Sequence, residues 1–453
     1  MTYLLNLITN FNLLSPNYYK RNLVIATPVI LSLAGQSVVQ IADSIMVGRL
    51  GAAPLAAVSL AGAIIMNVMV LGIGLSIGLT PLAGQFWSRG EFRKVSQYFQ
   101  NSLLINSLFS VFLFGVLAAI MPLLPLMGQP AEVTRLADNY YLLVSLSIIP
   151  LMIFFTFKQF LEGIGNTKIA MYITLGSNAI NILLNYLLIY GKCGLPEMGI
   201  DGAGIATLIS RIIMPVAFII AIYCKHSYKR FLRFFGKERF SFLQQRELAK
   251  IGLPISGQMV IEFFSLSAIT IMMGWMGTAS LAANQIAQTM INFTFMISNG
   301  IAGASTILVS HAFGIRDREG VRKHGFAGMK ISLLIMGSAA LIFVLFGREI
   351  ASLFTSDQEV IAISVKIFFV IALFELFDGL QVTALGALRG LTDTRKPMII
   401  AVISYFFVSL PVAYLFGFTF KLGEAGLMSG FAFGLLTASI FFIIRFKTLS
   451  ARI

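Results

Sequence analysis

The chain has 453 residues, of which 57% are hydrophobic and 11% are charged, and its formal net charge is +14 at pH 7. Soluble domains carry about 25% charged residues, so this chain has too few to cover a water-soluble globule. Its apolar runs are ~20 residues long and do not alternate with polar residues, which excludes a β-barrel and predicts membrane-spanning helices.

The predicted spans follow one another along the whole chain. The stretch Tyr3–Leu14 is too short and too rich in Asn to cross a membrane, and it is predicted to be an interfacial arm rather than a signal peptide. Twelve apolar segments follow, near 23–48, 54–86, 97–124, 137–157, 169–190, 201–224, 249–275, 279–312, 326–347, 359–388, 397–419 and 424–446. The sequence therefore predicts an all-α integral membrane protein of about twelve transmembrane helices.

Lys and Arg are concentrated in alternate loops. If both termini are cytoplasmic, the cytoplasmic loops hold most of the basic residues. The outer loops then keep only Arg49, Arg135, Lys192, Arg348 and Lys421, and the spans only Arg211 and Lys366. The positive-inside rule therefore predicts cytoplasmic termini. The basic excess is assigned to topology and to contact with anionic lipids, not to nucleic acid.

The second half of the chain repeats the first. A shift of 226 positions places Pro28 on Pro254 and Gly74 on Gly300, and a shift of 227 places the segment 161–168 on 388–395. Six spans per half make this a parallel repeat about an axis along the membrane normal. The predicted parts are an N-terminal arm at 1–22, an N-lobe at 23–224, a cytoplasmic linker at 225–247, a C-lobe at 248–447 and a tail at 448–453.

Four acidic residues interrupt the apolar spans: Asp43, Glu262, Glu375 and Asp378. A charge at mid-bilayer costs a few kcal/mol, so each is expected to face a cavity or a partner. For Asp43, which is near a helix end, contact with headgroup water is an open alternative. Glu375 and Asp378 are three residues apart on one helix face, so either a cation lies near them or one holds a proton.

Amide side chains form two stripes. Asn178, Asn181 and Asn185 recur along the fifth span, where they either join helices or line a site. The candidates for a substrate cavity, with a similar stripe on the eighth span, are Gln36, Gln40, Asn284, Gln285, Gln288 and Asn292. The 40 Phe and 20 Met residues would suit a cavity for organic cations.

Enzyme chemistry finds little support. The three histidines, at 226, 311 and 324, lie in or near predicted cytoplasmic loops and form no ligand cluster, and neither Cys has a metal-binding spacing. The glycine-rich segment 72–78 lies inside an apolar helix, so it is a packing motif rather than a dinucleotide loop. A membrane-embedded enzyme, a channel and a cofactor are therefore not favoured.

Five motifs together resemble the multidrug and toxic compound extrusion (MATE) transporters, in particular their bacterial NorM-type branch. They begin at Asp43 (DSIMVGRLG), Leu161 (LEGIGNTK), Asn181 (NILLNY), Ser280 (SLAANQ) and Asp378 (DGLQVTALGALRGLTDT). The resemblance implies two six-helix lobes in a V shape, in a monomer of the inner membrane. It also implies export of amphipathic, often cationic compounds in exchange for Na⁺ or H⁺.

The resemblance also implies functional residues. The cation site of the second lobe, with Na⁺ as one candidate ion, corresponds to Glu262 and Asp378. The polar site of the first lobe corresponds to Asp43, Asn181, Asn185 and Thr207.

Three positions depart from the pattern of relatives. Asn185 stands where one branch has an aspartate, Phe295 where some relatives have a cation-contacting Tyr, and Glu375 where an amide is common. Glu375 is expected to tune its neighbours, which leaves Na⁺ and H⁺ coupling both open. A lipid-linked saccharide flippase of the same superfamily is the alternative, but its diphosphate would need a basic cavity, and only Arg211 and Lys366 lie within spans.

Overall fold

The computed structural model describes residues 16–224, 231, 234–236 and 240–453. The predicted N-terminal arm and linker therefore lie partly outside the described residues, as does His226. Among the described residues, twelve helices are long and apolar enough to cross a membrane. The predicted all-α fold with twelve spans is confirmed.

The helices of the first half keep the predicted order. They are α1 (Pro16–Gly48), α2a (Ala52–Ile77), α2b (Leu79–Ser88), α3 (Phe92–Ile120), α4a (Ala131–Leu146), α4b (Ile148–Gly163), α5 (Thr167–Ile189) and α6 (Gly199–Cys224). A 3₁₀ turn at Met121–Met127 follows α3.

The second half follows the same plan. Its helices are α7 (Phe242–Met276), α8 (Thr278–Gly314), α9 (Arg318–Ser352), α10 (Gln358–Gly390), α11 (Arg395–Thr419) and α12 (Gly423–Ser450). Two π-helical segments, Ile403–Ser409 and Leu415–Thr419, interrupt α11. Such bulges change the rotation of the side chains along a helix and are frequent at functional sites.

Two compact units make up the chain. One contains the described residues up to Ile30 together with Gly257–Ile453, and the other contains Leu31–Ser256. Each boundary falls inside a long helix, two residues after Pro28 in α1 and two residues after Pro254 in α7. The repeat shift of 226 superposes these two boundaries. The lobe boundaries drawn from the sequence stay a prediction.

Repeated glycines make equivalent helix crossings inside each unit. In the unit Leu31–Ser256, a Cβ on Gly74 would lie 2.5 Å from the main chain of Ser256, so α2a and α7 touch there. In the other unit, a Cβ on Gly300 would lie 2.3 Å from the side chain of Ile30. Only glycine allows main chains to approach so closely, which explains why the repeat retains it.

Helix α10 occupies the interior of its unit. It packs against α8, α9 and α12. Buried aromatic side chains of α10, among them Phe368 and Phe374, belong to the main hydrophobic cluster of this unit. A polar side chain on the inner faces of α10 is therefore surrounded by protein rather than by lipid.

Candidate coupling and substrate sites

The acidic cluster of the second unit consists of Glu262 on α7 with Glu375 and Asp378 on α10. The interior position of α10 buries both of its acids: Glu375 is 0% exposed and Asp378 is 4% exposed. Glu262 is half-buried. The interaction of Asp378 with each of the other two carboxylates is electrostatic and repulsive when both are charged. The structure therefore brings the three predicted residues into one electrostatic site.

Glu375 is held by a residue that the sequence did not single out. The hydroxyl of Thr294 on α8 donates to Oε1 of Glu375 at 2.8 Å. The other oxygen, Oε2, is buried and has no hydrogen-bond partner among the described residues. The predicted Phe295 is half-buried and is the next residue along α8. A step of one residue turns a helix by about 100°, so Thr294 and Phe295 face different directions.

Glu262 takes part in a chain of polar side chains that reaches α11. It interacts electrostatically with Tyr405, which is fully buried in the first π-helical segment. Nε2 of Gln381 on α10 donates to the Tyr405 hydroxyl at 3.3 Å. These interactions connect Glu262 on α7 with polar side chains of α10 and α11.

Arg389 is a cation at this site that sequence reasoning missed. It belongs to the last turn of α10, where its Nη2 donates to Oε1 of Gln258 at 3.1 Å, and it attracts Glu262 electrostatically. The predicted tenth span, near 359–388, ends one residue before Arg389, so the sequence-based prediction assigns Arg389 to a basic cytoplasmic loop. The helix continues through it to Gly390, and this carries the guanidinium onto α7.

The chemistry of the cluster suits a hard cation only in part. Such ions prefer carboxylate, carbonyl and hydroxyl oxygens. Two buried oxygens have no partner among the described residues, Oε2 of Glu375 and Oε1 of Gln381. However, no group of three His, Cys, Asp or Glu side chains in the described ranges is placed to hold a metal ion. A bound Na⁺ would need hydroxyl, amide or main-chain oxygens beside the carboxylates.

A second polar site lies in the unit Leu31–Ser256. Nδ2 of Asn185 on α5 donates to a carboxylate oxygen of Asp43 on α1 and lies 3.2 Å from Oδ1 of Asn181. Nδ2 of Asn181 donates in turn to the hydroxyl of Ser210 on α6 at 2.9 Å. Asp43, Asn181 and Asn185 therefore form one hydrogen-bonded group. Thr207 is half-buried, one turn before Ser210, and Ser210 makes the α6 contact.

Asp43 also has a cationic neighbour. Arg211 on α6 attracts it electrostatically, and the guanidinium donates to the hydroxyl of Ser147 at 2.7 Å. Tyr140 on α4a interacts with both charges. The polar site is a charge-balanced network of α1, α4a, α5 and α6, and one acid there is opposed by one base.

The six predicted substrate-cavity residues divide between the units. Gln36 and Gln40 belong to Leu31–Ser256, and the four residues of the α8 stripe belong to the other unit. Within the stripe, Asn284 is buried and its Nδ2 donates to the Thr270 hydroxyl at 3.2 Å, so it joins α7 and α8. Gln285 and Asn292 are exposed. The stripe therefore combines a helix-joining amide with outward-facing ones.

A family model described as MatE matches residues 28–187 and 254–415 of the chain. The chain is similar to the probable multidrug resistance protein NorM of Rhizobium meliloti, with 31% identity over 446 residues that cover 97% of this chain and 95% of that protein. A protein of the same name from Rhodopseudomonas palustris is 33% identical, with 94% of this chain and 91% of that protein covered.

Two solved structures have similar folds. A Vibrio cholerae MATE transporter in its bent form gives a TM-score of 0.86 at 20% sequence identity, covering 96% of this chain and 98% of that chain. A MOP superfamily transporter from Pyrococcus furiosus gives 0.85 at 22% identity, with 96% of both chains covered. At these identities the likeness concerns the fold.

Proposed function

Because the chain belongs to the MatE family and is a NorM-type transporter rather than an enzyme, we propose that it is a multidrug efflux antiporter driven by a cation gradient. The similarity to proteins named NorM extends over nearly the whole chain, so it includes both halves of the transporter and not one module. The observation that carries the proposal of cation coupling is the acidic cluster of the second unit.

Three carboxylates in an apolar interior favour a cation. Glu375 and Asp378 are buried in the protein, and Asp378 is close enough to Glu262 to repel it. Binding of Na⁺ or of a proton would remove this repulsion and change the balance of forces between α7 and α10. Alternating access by two related halves requires such a difference between the loaded and unloaded states.

Different residues have different roles in the proposed coupling. Asp378 and Glu262 would bind the coupling ion, and Na⁺ is the candidate metal ion. Thr294 donates a hydrogen bond to Glu375, and Tyr405 interacts electrostatically with Glu262, so both acids have polar neighbours on adjacent helices. In the first half, Asp43 with Asn181 and Asn185 forms a second polar site, which Arg211 already neutralises in part. We therefore assign the main coupling step to the second half.

The substrates proposed are small, amphipathic organic compounds that are often cationic. The chain is rich in Phe and Met, whose side chains adapt to varied apolar shapes, and aromatic rings attract organic cations. The chain is proposed to act as a monomer in the inner membrane with both termini in the cytoplasm. The distribution of Lys and Arg between alternate loops supports this orientation.

A flippase for lipid-linked saccharides is the second candidate within the superfamily. Its diphosphate would need several cations in the membrane interior. Arg211 is engaged with Ser147 and Asp43, Arg389 with Gln258, and Lys158 with Glu162, whereas Lys366 is exposed. The excess of buried acids over available bases favours a cationic substrate or coupling ion over a diphosphate.

The proposal is tested by counterflow in proteoliposomes. Purified protein is reconstituted, and transport of a fluorescent organic cation is followed under a Na⁺ gradient alone and under a proton gradient alone. Acceleration of dye movement by one gradient is the expected result, and it identifies the coupling ion. Dye movement that follows neither gradient would reject antiport.

A further inference from the structure

The guanidinium of Arg389 is only partly hydrogen-bonded within the described residues. Its Nη2 has a hydrogen bond to Gln258, whereas its Nε is buried and has no hydrogen-bond partner among the described residues. A buried donor without an acceptor costs about 1–3 kcal/mol, so a structural role alone gives no reason for a guanidinium at this place. The position of Arg389 therefore points to an electrostatic role.

The charge is directed at Glu262. Gln258 and Glu262 are four residues apart on α7 and share one helix face, so the guanidinium that is bound to Gln258 lies on the face of α7 that carries Glu262. The two charges attract each other. Glu262 is thus attracted by the Arg389 guanidinium and repelled by the Asp378 carboxylate.

The internal repeat of the sequence does not conserve this cation. The shift of 227 that superposes the two motifs places Arg389 on Glu162, which is an acid. Glu162 has its own partner, Lys158, at 3.8 Å on the same helix. The residue that corresponds to Glu262 in the first half is Gln36, which carries no charge. At this position of the repeat, a basic residue therefore occurs only in the half that also has the acidic cluster.

We propose that Arg389 is a positioning residue that sets the Na⁺ affinity of the acidic cluster, because it acts as a built-in counter-charge to Glu262. The inference rests on the proposed coupling function. A bound Na⁺ is repelled by the guanidinium, so the site holds the ion less tightly and releases it more readily. At about 10 Å and an effective dielectric constant of about 20, this repulsion corresponds to roughly a tenfold change in affinity.

The test measures Na⁺ binding and does not depend on transport. Wild-type protein and the variant Arg389→Gln are purified in detergent, and the melting temperature of each is followed as Na⁺ replaces K⁺ at constant ionic strength. An ion that binds the folded state raises the melting temperature with its concentration, which gives an apparent dissociation constant. We expect Arg389→Gln to bind Na⁺ roughly tenfold more tightly than the wild type.

Two further variants separate charge from structure. Arg389→Lys keeps the positive charge and is expected to keep the wild-type Na⁺ affinity. Arg395→Gln removes an exposed cation from the first turn of α11 and is expected to leave the affinity unchanged. If the wild type binds Na⁺ and Arg389→Gln binds it equally or more weakly, the inference is wrong. If neither binds Na⁺, the sodium site itself is rejected together with the inference.

Discussion

Replacement of Thr294 by Val tests the contact that fixes Glu375. The two side chains have nearly the same shape, so the change removes a hydroxyl and leaves the packing in place. Glu375 is 0% exposed, and Thr294 is its one hydrogen-bond partner among the described residues. The contact is lost whether the carboxyl is charged or protonated, since Val can neither donate nor accept.

The cost follows from the burial of the carboxyl. A buried polar group that loses its partner destabilises a protein by about 1–3 kcal/mol, and charged groups are at the upper end. For a domain of 150–250 residues, which is the size range of each unit, 1 kcal/mol lowers the melting temperature by about 2–4 °C. We therefore expect Thr294→Val to melt about 2–12 °C below the wild type.

The matched control is Thr289→Val on the same helix. The hydroxyl of Thr289 is exposed and donates to the main-chain oxygen of Gln285 at 2.9 Å, so its removal is expected to change stability by less than about 0.5 kcal/mol. Both proteins are compared by thermal unfolding in the same detergent. Equal melting temperatures for the two variants would show that the contact between Thr294 and Glu375 does not stabilise the protein.

Two other substitutions test the packing and the charges of the unit Leu31–Ser256 by the same thermal assay. Gly74→Ala places a Cβ 2.5 Å from the main chain of α7 and is expected to lower the free energy of unfolding by about 1–3 kcal/mol. Its control, Gly62→Ala, meets nothing within 4 Å and should be neutral or stabilising. Equal effects of the two substitutions would contradict a close crossing of α2a and α7 at Gly74. Lys158→Ala leaves the buried carboxylate of Glu162 without its ion pair and is expected to cost about 3–5 kcal/mol. Lys94→Ala breaks an exposed pair and should cost less than about 1 kcal/mol, so a Lys158 variant as stable as this control would contradict the buried pair.

The sequence predicts the fold well because lipid allows few alternatives. Apolar length alone identifies a span, since a helix must satisfy its own hydrogen bonds in the membrane. The ends of helices are less predictable. The seventh apolar segment, near 249–275, belongs to a helix that begins at Phe242, and the ninth, near 326–347, to one that begins at Arg318. Charged residues favour helix equally well outside the apolar core, so hydropathy does not mark where a helix begins.

The sequence predicts the acidic residues of the candidate site but not the residues that contact them. Charged residues in apolar spans stand out because their burial is costly, and so Glu262, Glu375 and Asp378 are visible in the sequence. Thr294 and Arg389 are not, because a hydroxyl in a helix is common and a basic residue at a helix end is normally a topology signal. Their roles depend on the rotation and length of α8 and α10, which only the structure provides.

We propose that Glu262 and Asp378 couple cation entry to drug export. Export of a fluorescent organic cation from proteoliposomes is measured for Glu262→Gln and Asp378→Asn, under whichever ion gradient drives the wild type. Glu359→Gln, which changes an exposed acid in the first turn of α10, is the control. We predict that both site variants lose gradient-driven export while the control keeps it and all three proteins fold. Gradient-driven export at the wild-type rate in both site variants would show that neither carboxylate is needed for coupling.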